Sequence, residues 1–99
     1  MKPIIFEQIV SELPGYHVQG LYHTRDPYEG AEWLIVSAIR LDSGYTETAI
    51  FPSNGEDYLM FTHRELIQLP NTYDHRKALE ALGYDAAYTP TDKLTESDK

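Results

Sequence analysis

The chain has no cysteine among its 99 residues, so it can form neither a disulfide framework nor a thiolate zinc site. Positive charge is scarce: eight Lys and Arg stand against sixteen Asp and Glu, a net charge of −8. Residues 1 to 88 hold thirteen of the acids and six of the bases, a difference of −7, so the imbalance lies in the part read as folded. Contact with a nucleic-acid backbone needs clustered Lys and Arg, and direct nucleic-acid binding is therefore not expected. The opposite role, presenting carboxylates to a basic DNA-binding groove, is compatible with the sign. The acids are scattered, however, and no run imitates phosphate spacing. No apolar run approaches the roughly 20 residues of a membrane-spanning helix. Met1-Lys2-Pro3 leads into a mixed polar and apolar segment that lacks the apolar core of a signal peptide. One soluble, cytoplasmic domain is expected over residues 1–88, with a disordered tail over 89–99, TPTDKLTESDK.

Motifs of known chemistry are missing as well. There is no HExxH, no GxSxG and no glycine-rich phosphate loop. His17 and His23 stand six residues apart on one strand, about 20 Å when extended, and cannot share a metal. His63 and His75 are isolated. No metal, cofactor or catalytic residue is expected from these patterns.

What is present is a dense strand signal. Trp33 to Leu41 reads WLIVSAIRL, rich in β-branched and aromatic residues, and Asp42-Ser43-Gly44 comes next as a three-residue turn ending in glycine. Tyr45 to Pro52 forms the return strand, and Asn54-Gly55 signals a second hairpin toward a strand at 57–61. Written out by alternation, both faces of this sheet are apolar. Trp33, Ile35, Ile39, Leu41, Tyr45, Ala49, Phe51, Tyr58 and Met60 fall on one face, and Leu34, Val36, Ala38, Ile50, Leu59 and Phe61 on the other. A half-solvated antiparallel sheet alternates apolar with polar, so each face here needs a cover. Trp33, Tyr45 and Tyr58 are taken as the core of an interface, and a homodimer through one sheet face is expected.

Outside that unit, Ile5, Phe6, Ile9, Val10 and Leu13 recur at helical spacing after Pro3 and predict a helix over 4–13, ended by Pro14-Gly15. Residues 16–25 read as a strand, placed at the sheet edge because of Gly20, and Asp26 to Gly30 as a turn. Thr62 to Glu65 fits a capping box and predicts a short helix over 63–69. Asp74 opens a last helix over 74–83 with Ala78, Leu79 and Leu82 inward and Gly83 at its end. The expected fold class is α+β: an antiparallel sheet of about four strands (16–25, 33–41, 45–52, 57–61) with helices at 4–13, 63–69 and 74–83.

The candidate binding residues are Tyr22, Arg25, Arg40, Tyr45, Glu47, Tyr58 and Arg64. Arginine beside tyrosine is how proteins hold nucleotides and other planar anions, and eight tyrosines in so short a chain equally suit a protein interface. Glu47, placed among apolar neighbours, would serve as a ligand acceptor or general base.

The run Tyr45-Thr46-Glu47-Thr48-Ala49-Ile50-Phe51, with a Tyr73-Asp74 step and the segment HRKALEALG after it, resembles small uncharacterised phage and mobile-element proteins over residues 33 to 83. Those carry a Tyr-x-Glu-Thr-x-x-Phe strand before a short polar segment and a helix. This chain departs from them in having Ala49 where they often have Met before the aliphatic residue. The resemblance implies an accessory protein that acts by binding, inhibiting a host protein by occupying its surface. The alternative is a binder that sequesters a small anionic, nucleotide-like ligand in an Arg/Tyr pocket, and a cofactor-free enzyme with Glu47 as base comes third.

Overall fold

The computed structural model describes residues 1–55 and 65–85. It is a curled, mixed sheet of six strands, a half-barrel, carrying one short helix. In chain order the elements are β1 (Lys2–Leu13), β2 (His17–Tyr28), β3 (Ala31–Arg40), β4 (Thr46–Ser53), β5 (Ile67–Pro70), α1 (His75–Ala81) and β6 (Tyr84–Asp85). Across the sheet the order is β5-β4-β3-β2-β1-β6, antiparallel except where β6 runs parallel beside Lys2 and Pro3.

The expected α+β fold with about four antiparallel strands and helices at both ends is therefore overturned: the protein is mostly β, and 4–13 is strand rather than helix. The cause is legible in the pairing of β1 with β2. Register shifts fall between Ile4 and Phe6 and between Ile9 and Ser11, so Ile5 and Val10 are extra residues in two bulges. Each bulge advances the side-chain phase by one. The broken alternation leaves the apolar Ile5, Phe6, Ile9, Val10 and Leu13 at spacings of one, three, one and three, which imitates a helical stripe although Ile9 faces one side of the strand and Phe6 and Leu13 the other. The β-branched Ile4, Ile5, Ile9 and Val10 favour the pleated form, and pairing with β2 selects it.

Two other expectations need correction. The helix expected over 63–69 is overlapped at 67–69 by strand β5, which pairs with β4 as Glu47↔Pro70 to Ile50↔Ile67, and residues 63 and 64 lie outside the described residues. The strand read at 16–25 lies inside the sheet between β1 and β3, not at its edge. Gly20 is there for space: a Cβ at this position would stand 2.9 Å from the Tyr22 ring and 3.3 Å from His75. The expected strand at 57–61, Thr62 of the capping box and the tail at 89–99 lie outside the described residues.

The other elements match their local signals. Leu13-Pro14-Gly15-Tyr16 is a tight turn, with Gly15 at φ +83° and Tyr16 N–H donating to Leu13 O at 2.9 Å. Glu29 and Gly30, both at positive φ, make the two-residue β2–β3 hairpin between Tyr28 and Ala31. Asp74 caps α1, its carboxylate accepting from Arg76 N–H at 2.9 Å and Lys77 N–H at 3.3 Å. Gly83 ends the helix at φ +92°.

The helix lies on the concave face, where Tyr22, Leu34, Val36 and Ile50 pack with Ala78, Leu79, Leu82 and Tyr84. Buried Thr48 ties the helix start to the sheet, donating to Thr72 O at 2.8 Å and accepting from Asp74 N–H at 3.2 Å. Inside this core His75 accepts from Tyr22 OH at Nδ1 (2.8 Å) and donates from Nε2 to Val18 O (3.0 Å). A carbonyl only accepts, so Nε2 carries a proton, and in the neutral ring Nδ1 is left to accept from the Tyr22 hydroxyl. Burial holds its pKa down at about 4. The opposite face also has a buried centre, Leu21, Ile35, Ala49 and Gln19, as the two-sided apolar pattern requires. Among the described residues no helix lies on it, and none is long and apolar enough to cross a membrane.

Candidate functional site

Two turns meet at one end of the sheet and build the most exposed apolar surface there. The β1–β2 turn presents Leu13 and Tyr16, and the β3–β4 turn presents Leu41 and Tyr45, which are 60, 51, 50 and 38% exposed. A backbone hydrogen bond joins the turns, Arg40 N–H donating to Tyr16 O at 2.7 Å, and Leu41 N–H donates to Tyr45 O at 2.8 Å to close the β3–β4 turn. Between them lies an open depression of about 350 Å³ lined by Gly15, Tyr16, Arg40, Leu41, Asp42 and Gly44. A Cβ at Gly15 or Gly44 would meet nothing, so the opening is limited by backbone conformation rather than crowding.

The Arg40 guanidinium lies over the Tyr73 ring, 5.0 Å from its centroid, which fixes a cation at the rim of the helix-bearing face. On the other face Tyr45 OH donates to Glu47 Oε1 at 2.9 Å. That bond, with the nearby Glu47 charge, pushes the phenol's pKa up. His17 stands two strands over, its Nε2 3.0 Å from Ser37 Oγ, and burial lowers its pKa, favouring the neutral ring. A serine beside a neutral imidazole is the start of a nucleophilic pair. However, β3 is paired on both sides at Ser37, with Gln19 and with Ala49. Its surrounding backbone N–H groups are taken up in the ladder, and none is left to form an oxyanion hole here. The geometry is that of a polar contact within a surface.

The residues expected to bind do not form one pocket. Arg40, Tyr45 and Glu47 meet at this turn end, on the two sides of the β3–β4 hairpin. Tyr22 is wholly buried in the core with His75. Arg25 is exposed near the other end of β2, roughly 25–30 Å along the strands from Arg40. Tyr58 and Arg64 lie outside the described residues. Trp33 sits at the end opposite Tyr45, half-buried, stacked on His23 at 4.0 Å and met edge-on by Phe6 at 5.9 Å. Gly55 presses on its ring, where a Cβ would come within 2.7 Å. Trp33 is thus a packed residue. Among the described residues no three metal-ligating side chains gather.

Tyr16, Leu13 and the His17–Ser37 pair were missed by sequence reasoning. The available signal was Pro14-Gly15, which marks a turn as readily as a helix stop; the pairing of His17 opposite Ile39, one step from Ser37, follows a register shift between His23 and Tyr28 that the Glu29-Gly30 hairpin does not announce.

Comparison of the chain with protein-family models, curated proteins and solved structures finds no match.

Proposed function

We propose that this is a binding protein that docks a partner protein through the turn end of its sheet, in the cytoplasm. The observation behind this reading is the grouping of Leu13, Tyr16, Leu41 and Tyr45, each more than a third exposed, on two turns hydrogen-bonded to each other. Isolated exposed apolar residues are ordinary, but here Tyr16 and Leu41 line one depression with an arginine while Leu13 and Tyr45 stand on the same two turns, the composition of an interface centre. The turns are anchored by main-chain bonds, so little ordering entropy is lost on docking. Occupation of the partner's surface would then inhibit whatever that surface does.

A photo-crosslinking side chain placed at Tyr16 or at Leu41, in cells of the native host, should capture the same partner. One placed at exposed Glu29, at the far hairpin, should not. Tyr16→Ala should weaken binding of that partner about 10- to 100-fold, the effect of an aromatic hot spot. Equal capture at Glu29, or no capture at either turn, would overturn the reading.

Arg40 beside Tyr16 in the depression favours a second reading, a small planar anion held there. In that case a small molecule would co-purify with the native chain and be lost from Arg40→Gln, and the crosslinks would be absent.

A further inference from the structure

The two turns carry charge of nearly one sign. Over residues 11–17 and 39–47, the turns and the strand ends that feed them, Glu12, Asp42 and Glu47 stand against a single arginine, Arg40. His17 adds no charge at neutral pH, because burial lowers its pKa. Asp42 lines the depression with Tyr16 and Leu41, and Glu12 is exposed beside Leu13. Glu47 accepts from the Tyr45 hydroxyl. Arg40 is turned the other way, its guanidinium 5.0 Å from the centre of the Tyr73 ring. The exposed apolar side chains are thus edged by three carboxylates and by one cation already laid over an aromatic ring.

Each class of occupant meets that edge differently. A nucleotide, a phosphate or an acidic lipid headgroup would bring negative charge beside Asp42 and Glu47. A second copy docked through the same turns would add three more carboxylates, in a chain whose net charge is −8. A partner with positive charge is attracted by all three, and the net charge of the chain speeds its approach.

Tyr45 and Glu47 select which positive side chain it is. The Tyr45 residue is 38% exposed, and its hydroxyl takes up one acceptor position of Glu47. A carboxylate has about four such positions, so a further donor can bind without breaking that bond. A guanidinium stacks flat on an aromatic ring and meets a carboxylate with two parallel N–H groups, whereas an ammonium is a compact point charge without that fork.

Granted the docking function proposed above, on which this rests, we infer that the turn end takes a protein segment in which an arginine is flanked by apolar side chains. The guanidinium lies on Tyr45 and Glu47, and the apolar neighbours fill the depression against Tyr16 and Leu41.

A displayed library of random linear peptides, panned on the native chain at low ionic strength and counter-selected on Tyr16→Ala, tests the two steps separately. The surviving peptides should carry arginine beside aromatic or aliphatic residues, more often than lysine and far more often than Asp or Glu. Titrated singly, they should bind Glu47→Gln about 3- to 10-fold more weakly than the native chain. That change keeps an acceptor for the Tyr45 hydroxyl and removes only the charge. Glu80→Gln, the same change at an exposed helix position, should leave the affinity as it was. Raising salt from about 50 to about 500 mM should weaken binding to the native chain more than to an Asp42→Asn/Glu47→Gln double variant. Tyr16-dependent peptides without arginine, or equal binding to Glu47→Gln, would overturn the arginine and leave the docking surface standing. Acidic peptides that depend on Arg40 would put an anion there, and a native dimer that Tyr16→Ala abolishes in sedimentation would put a second copy there; either result overturns the arginine too. If no selected peptide depends on Tyr16, the docking surface itself falls, and the arginine with it.

Discussion

Acidification should unload the core through His75. The imidazole is fully buried and neutral, its Nδ1 accepting from Tyr22 OH and its Nε2 donating to Val18 O. Its pKa falls from an ordinary 6.5 to about 4 on folding. Between those values the unfolded chain binds a proton that the folded chain refuses. Stability is therefore complete above about pH 6.5 and is lost progressively as pH falls toward 4. A shift of about 2.5 units at 1.36 kcal/mol per unit amounts to about 3 kcal/mol across that window. This is a large part of the stability of a domain this small. Glu7 works the other way: burial raises its pKa, so the folded state holds that proton more readily around and above the ordinary carboxyl value, offsetting part of the loss. Urea unfolding followed by circular dichroism at a series of pH values gives the total, and the same series on His75→Leu removes one titration. The difference between the two slopes is the histidine's share. Should the variant not fold, the NMR titration of the native His75 ring gives the same answer. A neutral-ring shift held down to about pH 5 is expected, and a midpoint near 6.5 would refute the reasoning.

Gly20→Ala should destabilise by roughly 1–3 kcal/mol, because its Cβ would enter the Tyr22 ring's space at 2.9 Å and crowd His75; a Tm unchanged within a degree or two would contradict that packing. Asp74→Ala removes the acceptor for the Arg76 and Lys77 amides and should cost about 1 kcal/mol by chemical denaturation, with the m-value kept; no loss would mean that the cap contributes nothing.

Short-range features were legible in the chain itself. Asp42-Ser43-Gly44 had to turn, WLIVSAIRL and its return had to pair, and Asp74 with Gly83 had to bound a helix. Each signal is satisfied by main-chain conformation within a few residues, whatever surrounds it. The two-sided apolar pattern also announced a sheet buried at its centre on both faces, and Leu34, Val36 and Ile50 on one side with Leu21 and Ile35 on the other fulfil it. Only the tertiary structure decided β1. Ile5 and Val10 are helical-looking until β2 is beside them, because a bulge exists only as a mismatch between two strands. The same holds for Gly20, whose neighbours Tyr22 and His75 are brought together by packing a helix 53 residues away onto the sheet. The site divided along the same line. Arg40, Tyr45 and Glu47 came from one hairpin and share one end of the sheet, Arg40 on the helix-bearing face and Tyr45 with Glu47 on the other, whereas Tyr22 and Arg25 were assigned by residue type and went to the core and the far end. Residue type states what a side chain is able to bind, and strand register over long separations decides what it stands next to.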